Sequence, residues 1–267
     1  MAIDHIVDYS CVPKQTLGTE DILDRIKFRE RALTVIRTFR DAGDMRPPSE
    51  MGFEYTRSQP DGSEETQLIV VQNALDNADA LEPLQVHCEG CPANVTGNPF
   101  GCMNFVQYPI SAAAERWLLD RLPPPEEPLL WLLLRKSVEE LGYDGTSVAA
   151  LRQNPIYFEE SQVLGRDLVE FVFSANQAFE MLFLLGHVQP PHAAMLLMFF
   201  GAVQRKIEAN VIVQIMNRML SPDQIDQHFP FLMQPEESDD RTIRELKRFF
   251  HALWRTWRLN STLLLDV

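Results

Sequence analysis

Three consecutive prolines, Pro123-Pro124-Pro125 in RLPPPEEP, interrupt the chain near its middle. Proline has no amide hydrogen and a fixed φ, so such a run continues neither a helix nor a central strand and favours polyproline II. The patterns on its two sides differ. Before it lie short β-branched or alternating runs: IDHIVDY (3–9), MGFEYTR (51–57), TQLIVVQ (66–72), LQVHC (84–88) and MNFVQYPI (103–110). Each reads as a strand. The second and third are joined by a segment in which Pro60-Asp61-Gly62 supplies the reversal. After the prolines, helical patterns dominate. The expectation is an α+β protein in which residues 1–122 form an α/β metal-binding half with a small sheet. Residues 123–128 are then a Pro-rich linker, and residues 129–267 an all-α helical half.

Helix signals fill in the rest. Thr19 is placed to cap a helix from Glu20 to Ala42 that stops at Gly43; Phe28, Ala32, Val35, Phe39 and Ala42 share one of its faces. Ser111 caps a second helix, running to Leu122. PLLWLLLRKSVEEL starts with Pro128 in the first turn and ends before Gly142, and its six consecutive apolar residues predict a helix buried on most sides. Further helices are expected near Gly165–Leu185, His192–Met219 with a break near Gly201, Pro222–His228 and Arg241–Leu259. The capping box Ser221-Pro222-Asp223-Gln224 marks the third of these. The closing STLLLDV reads as a strand.

Charge excludes some function classes. A net charge of −14 repels phosphate backbones and anionic lipid, so nucleic acid is an unexpected partner. The most apolar segment, residues 181–203, is cut by His187, Pro190, Pro191 and His192, which predicts no membrane span. MAIDHIVDYS carries two Asp and no basic stretch ahead of an apolar one, so no secretory signal is expected and the setting is taken as cytoplasmic. The sequons at Asn94 and Asn260 are then chance matches.

In a reducing setting, clustered cysteines hold metal or do redox chemistry more often than they form disulfides. Three of the chain's four cysteines lie in HCEGCPANVTGNPFGC, residues 87–102. Cys88-x2-Cys91 is the spacing at which two thiolates of one tight turn reach a single ion, and Cys102 follows after a loop rich in Gly and Pro. Cys11, at the end of the first strand, completes a tetrahedron and leaves no cysteine unused. The expectation is a structural zinc site of Cys11, Cys88, Cys91 and Cys102. His87, adjacent to Cys88, is the less suitable fourth ligand. Four protein ligands leave no open position, which points to a scaffold and to a non-enzymatic module that binds an unknown protein or small ligand through its helical half. The alternative is an iron–sulfur or dithiol redox protein or sensor built on the same cysteines, since Pro92 after Cys91 fits a cluster loop. The dithiol version is weakened by PANVTGNPFG, which is no thiol-activating helix.

Other features are weaker. The 241–258 helix carries Arg241, Arg244, Lys247, Arg248, Arg255 and Arg258 against one acid, Glu245. Its basic stripe suits an acidic partner, but pairing with the chain's own carboxylates is the ordinary reading. His187 and His192 flank a Pro-rich turn without a nearby acid, and Met181–Phe200 reads as plain core. No nucleophile elbow, phosphate loop, dinucleotide fingerprint or His-Glu-x-x-His motif is present.

Overall fold

The computed structural model describes residues 2–58 and 64–266, so the Pro60-Asp61-Gly62 reversal lies outside the described residues. The chain begins with strand β1 (Ala2–Asp8), helices α1 (Val12–Leu17) and α2 (Thr19–Asp41), and a 3-10 turn at Pro48–Glu50. Strands β2 (Gly52–Ser58) and β3 (Glu64–Val70) follow, then α3 (Val71–Ala78), a 3-10 stretch (Asp79–Cys88), β4 (Met103–Gln107) and α4 (Ala112–Asp120). Beyond the prolines come α5 (Pro128–Leu141), α6 (Thr146–Arg152), β5 (Gly165–Asp167), β6 (Val172–Ser174), α7 (Ala175–Phe183) and β7 (His187–Val188). The last elements are α8 (Pro190–Phe199), α9 (Ala209–Met216), α10 (Pro222–His228), α11 (Arg241–Arg258) and β8 (Thr262–Asp266). The fold is α+β, as expected.

The chain divides into two units, one made of residues 1–9, 92–97 and 101–267, the other of residues 10–91 and 98–100. The larger unit is organised by an antiparallel sheet of order β4-β1-β8-β7. Two of its strands precede the prolines and two follow them, so the second half is less purely helical than its sequence suggests. β1 is central: His5 lies between Asn104 of β4 and Leu265 of β8. Ile3, His5 and Val7 are fully buried.

Helix α11 packs on this sheet and on α8. Its Ile243, Leu246, Phe250, Leu253 and Trp257 are all buried, as the amphipathic pattern requires. Asp240 caps it, accepting from the Ile243 N–H at 2.7 Å. Glu245 accepts the Gln107 N–H at 2.7 Å, which ties the otherwise open edge of β4 to the helix.

Residues 123–128 lie inside the larger unit, with Pro123 buried. The carbonyls that end α4 are taken up by arginines from beyond the prolines. Arg166 donates to Leu119 O at 2.8 Å and Leu122 O at 3.0 Å, while Arg205 donates to the carbonyl of Arg121. Arg205 also donates to Met198 O and Phe199 O at the end of α8. Two helix termini with negative dipole ends are thus linked by Arg205, which serves both, while Arg166 serves α4 alone.

The smaller unit is built on the β2–β3 hairpin, with Gly52 opposite Val70. Ala32, Met51, Phe53, Val71 and Ala74 form its buried core, flanked by Phe28, Val35 and Phe39 of the expected α2 face. The α2 cap differs from expectation, because Gly18 rather than Thr19 occupies that position.

Four other expectations are corrected. LQVHC is not a strand: Pro83 removes an amide, and Leu81 and Leu84 are buried at the three-residue spacing that a 3-10 stretch places on one side. Val71 and Gln72 belong to α3 rather than to a strand. The 165–185 segment is not one helix; β5 and β6 form a hairpin, and α7 starts at the capping box of Ser174 and Gln177. In α5 only Leu130 and Leu134 are buried, and Leu132 is 49% exposed, so this helix covers one face rather than most sides.

Candidate functional site

Cys11 stands at the start of α1 in extended conformation, φ −149°, and its carbonyl accepts the Gln15 N–H at 3.0 Å. Cys88 ends the 3-10 stretch, and its carbonyl accepts the Cys91 N–H at 3.3 Å, closing the Cys88-Glu89-Gly90-Cys91 turn. Gly90 adopts φ 68°, a left-handed conformation that side chains disfavour. The Cys88 Sγ accepts the Phe100 N–H at 3.2 Å. Burial pushes the Cys88 thiol above its ordinary range; the Phe100 N–H opposes this, and the neighbouring Cys91 and Cys11 thiols add to it. Within the smaller unit these three cysteines are therefore electrostatic neighbours.

Cys102 is buried in the larger unit, where its carbonyl accepts the Val7 N–H at 3.0 Å. The four-cysteine zinc centre expected from the sequence is corrected by this structure. Among the described residues no group of three or more His, Cys, Asp or Glu side chains is placed to hold a metal ion. No disulfide joins the described cysteines, so none supports the redox alternative. The physical reason begins at LQVHC: the strand expected to flank the cysteine loop is a 3-10 stretch, so Cys88 and Cys91 leave it in a tight turn rather than at a strand end. His87, the rival ligand, is exposed, as is His187; His192 is mostly buried, and burial lowers its pKa.

A thiol held protonated alkylates slowly, because the thiolate is the nucleophile. Cys88 is expected to react with iodoacetamide at pH 8 severalfold more slowly than an exposed model thiol, read by peptide mass spectrometry over time. An equal rate would contradict its environment.

The basic stripe of α11 is largely consumed by the protein itself. Lys247, only 3% exposed along its side chain, reaches both Asp239 oxygens at 2.8 Å and Glu236 at 3.1 Å. Arg258 forms a two-pronged pair with Asp226 at 2.6 and 2.8 Å. Arg244 donates to Asp239 O, and Arg241 lies 4.0 Å from Glu245. Arg248 and Arg255 act electrostatically on Glu245 and Asp226. His251 stacks on Phe231 at 4.8 Å, and burial followed by the Arg255 charge lowers its pKa to about 4. Internal pairing, the ordinary reading of this helix, accounts for its charge.

Two polar features inside the larger unit leave no mark in the sequence. One is the buried pair Glu115–Arg152, whose side chains are 3% and 1% exposed. Arg152 also donates to Asn176 Oδ1 at 2.5 Å and Glu160 O at 3.0 Å, and its guanidinium lies 4.1 Å from the Phe158 ring centroid. A small void beside Glu115, lined by Leu118, Phe158, Phe179 and Phe183, has room for about one water molecule. That is too little for an organic ligand. The second feature is His5, whose two ring nitrogens have no hydrogen-bond partner among the described residues.

One surface feature also goes beyond the sequence expectation. α9 is apolar at Val211, Ile212, Val213, Ile215 and Met216, yet only Ile215 is buried. Val213 is 58% exposed, Met216 54% and, just beyond the helix, Met219 67%. The helix closes with Arg218 in left-handed conformation, φ 55°. The Arg218 N–H bonds to Ile215 O at 3.0 Å and the Met219 N–H to Gln214 O at 2.9 Å, the paired bonds of a Schellman motif. This closure reverses the chain at Arg218, so Met219 lies beyond the helix end rather than on its continuation. The sequence does carry a signal, a run apolar on every side, but such a run reads equally well as continued core.

No described helix is long and apolar enough to cross a membrane. Comparison with protein-family models, with curated proteins and with solved structures gave no match.

Proposed function

We propose that this protein acts by docking another protein chain on the exposed apolar face of α9, in a cytoplasmic setting. The exposure of Val213 and Met216, one turn apart on α9, and of Met219 just past its end carries this reading. A helix apolar on all sides is ordinarily buried, and here one flank packs on α8 while the other meets solvent. Scattered exposed apolar residues need no explanation; two on one helical turn with a third at the closing turn do. Methionine suits the role, because its unbranched side chain repacks against varied surfaces at little cost.

The test is a photo-crosslinking amino acid placed at position 216 in cells, with position 136 on the exposed side of α5 as control. A discrete adduct from 216 and none from 136 is expected. The adduct's second protein, identified by mass spectrometry and purified, should bind at least ~10-fold more weakly to the Met216→Glu variant. Absence of any adduct from 213 or 216 would overturn the docking reading.

A further inference from the structure

We propose that the outer edge of β3 docks an extended, basic segment of another protein, which adds to the β2–β3 hairpin as a third strand. This surface belongs to the smaller unit and does not involve α9. The register shows which backbone groups are open. The Val71 N–H bonds to Met51 O at 3.0 Å, so Met51 and Val71 are a hydrogen-bonded pair. Such pairs alternate along an antiparallel ladder, which makes Phe53–Ile69 and Tyr55–Gln67 the next two. Thr66 and Leu68 therefore turn their N–H and C=O groups outward. Neither backbone has a hydrogen-bond partner among the described residues. Their side chains lie on the face opposite Phe53, Tyr55 and Ile69, and Leu68 is 72% exposed. The edges of the other sheets are short or partly capped: β7 has two residues, β5 and β6 three each, and at β4 Glu245 and Arg241 take up the Gln107 N–H and C=O. β3 has seven residues in unbroken register, with no proline, Lys or Arg to guard it.

Charge identifies the occupant. From Ser58 to Glu115 the chain has eight carboxylates and no Lys or Arg. Glu65 on β3 is exposed, and so are Asp76, Asp79 and Glu82 just beyond it. The other edge of the hairpin suits a cation less, because β2 packs beside α2, whose Arg31 lies 5.4 Å from the Phe53 ring centroid. A second copy would bring the same carboxylates to the same edge and is repelled. An antiparallel partner strand is then read by alternation. β-Branched residues fit opposite Leu68 and Thr66, and Lys or Arg opposite Gln67 and Glu65.

The probe is a capped hexapeptide of alternating valine and lysine, titrated to ~2 mM into the full chain. Amide hydrogen exchange at Thr66 and Leu68, followed by NMR, is expected to slow at least ~5-fold. The same peptide built with N-methyl valines lacks the donors and should leave both amides unprotected. A valine–glutamate peptide should bind at least ~10-fold more weakly, and Glu65→Lys should weaken the lysine peptide severalfold. Leu68→Pro removes an outward N–H while keeping the hairpin bonds, so binding should fall with an unchanged circular dichroism spectrum. Unchanged exchange at Thr66 and Leu68 overturns the proposal. Equal binding of the lysine and glutamate peptides, or of the N-methylated one, does the same. Protection that grows with protein concentration alone would place a second copy on the edge and overturn the basic partner.

Discussion

Replacing Arg152 with Met is expected to lower the unfolding free energy by about 3–5 kcal/mol, the loss found when one partner of a buried ion pair is removed. The substitution keeps a long apolar stem and deletes the guanidinium. Glu115 then stays buried with no cation. Burial already raises its pKa, and the Arg152 hydrogen bond and charge are the main influences pulling it back down. Asn176 Oδ1 and Glu160 O lose their donor in the same step. Urea denaturation at pH 7, compared with wild type at equal m-value, measures the effect. The double variant Arg152→Met/Glu115→Leu should recover a large part of the loss, since the cost lies in the orphaned carboxylate rather than in the missing attraction. A single variant less than about 1 kcal/mol below wild type would mean that the pair behaves like a surface one.

The second large effect concerns acid. His5 is fully buried, both nitrogens lack partners among the described residues, and its ring meets Phe249 edge-on at 5.2 Å. Across the sheet it faces Asn104 and Leu265, neither of them charged. Burial alone depresses its pKa from 6.5 to about 3. Between those values the unfolded chain binds the proton and the folded chain does not. The neutral His5 contribution is therefore fully present above pH 6.5 and is lost progressively as pH falls toward 3. The slope reaches about 1.4 kcal/mol per pH unit, so roughly 2 kcal/mol disappears by about pH 5. In the His5→Leu variant this part of the pH dependence should vanish, and the gap between the two stability curves should widen by that amount from pH 7 to pH 5. Parallel curves would refute the assignment.

Much of the architecture is local chemistry, and local chemistry is visible in a sequence. The Ser221–Gln224 capping box of α10, the Pro128 start and Gly142 stop of α5, the apolar stripe of α11 and the α2 face of Phe28, Ala32, Val35 and Phe39 depend on residues within a few positions of one another. These pairs keep their meaning wherever the segment ends up. The expected β1, β2, β3 and β4 likewise follow from short alternating runs. The LQVHC stretch goes the other way, because Pro83 and the Leu81–Leu84 spacing outweigh its single β-branched residue.

What only the tertiary structure decided is partnership between distant segments. Cysteine spacing states that Cys88 and Cys91 share a turn; it does not state where Cys11 and Cys102 lie, and a four-thiolate metal centre depends on all four. Arg152 and Glu115 are 37 positions apart, and His5 is an ordinary strand residue until β4, β8 and α11 enclose it. The exposure of α9 is of the same kind. Periodicity records which faces of a helix are apolar, but burial depends on whether another element covers them, and the free energy of that choice resides in contacts formed only when the whole chain has folded.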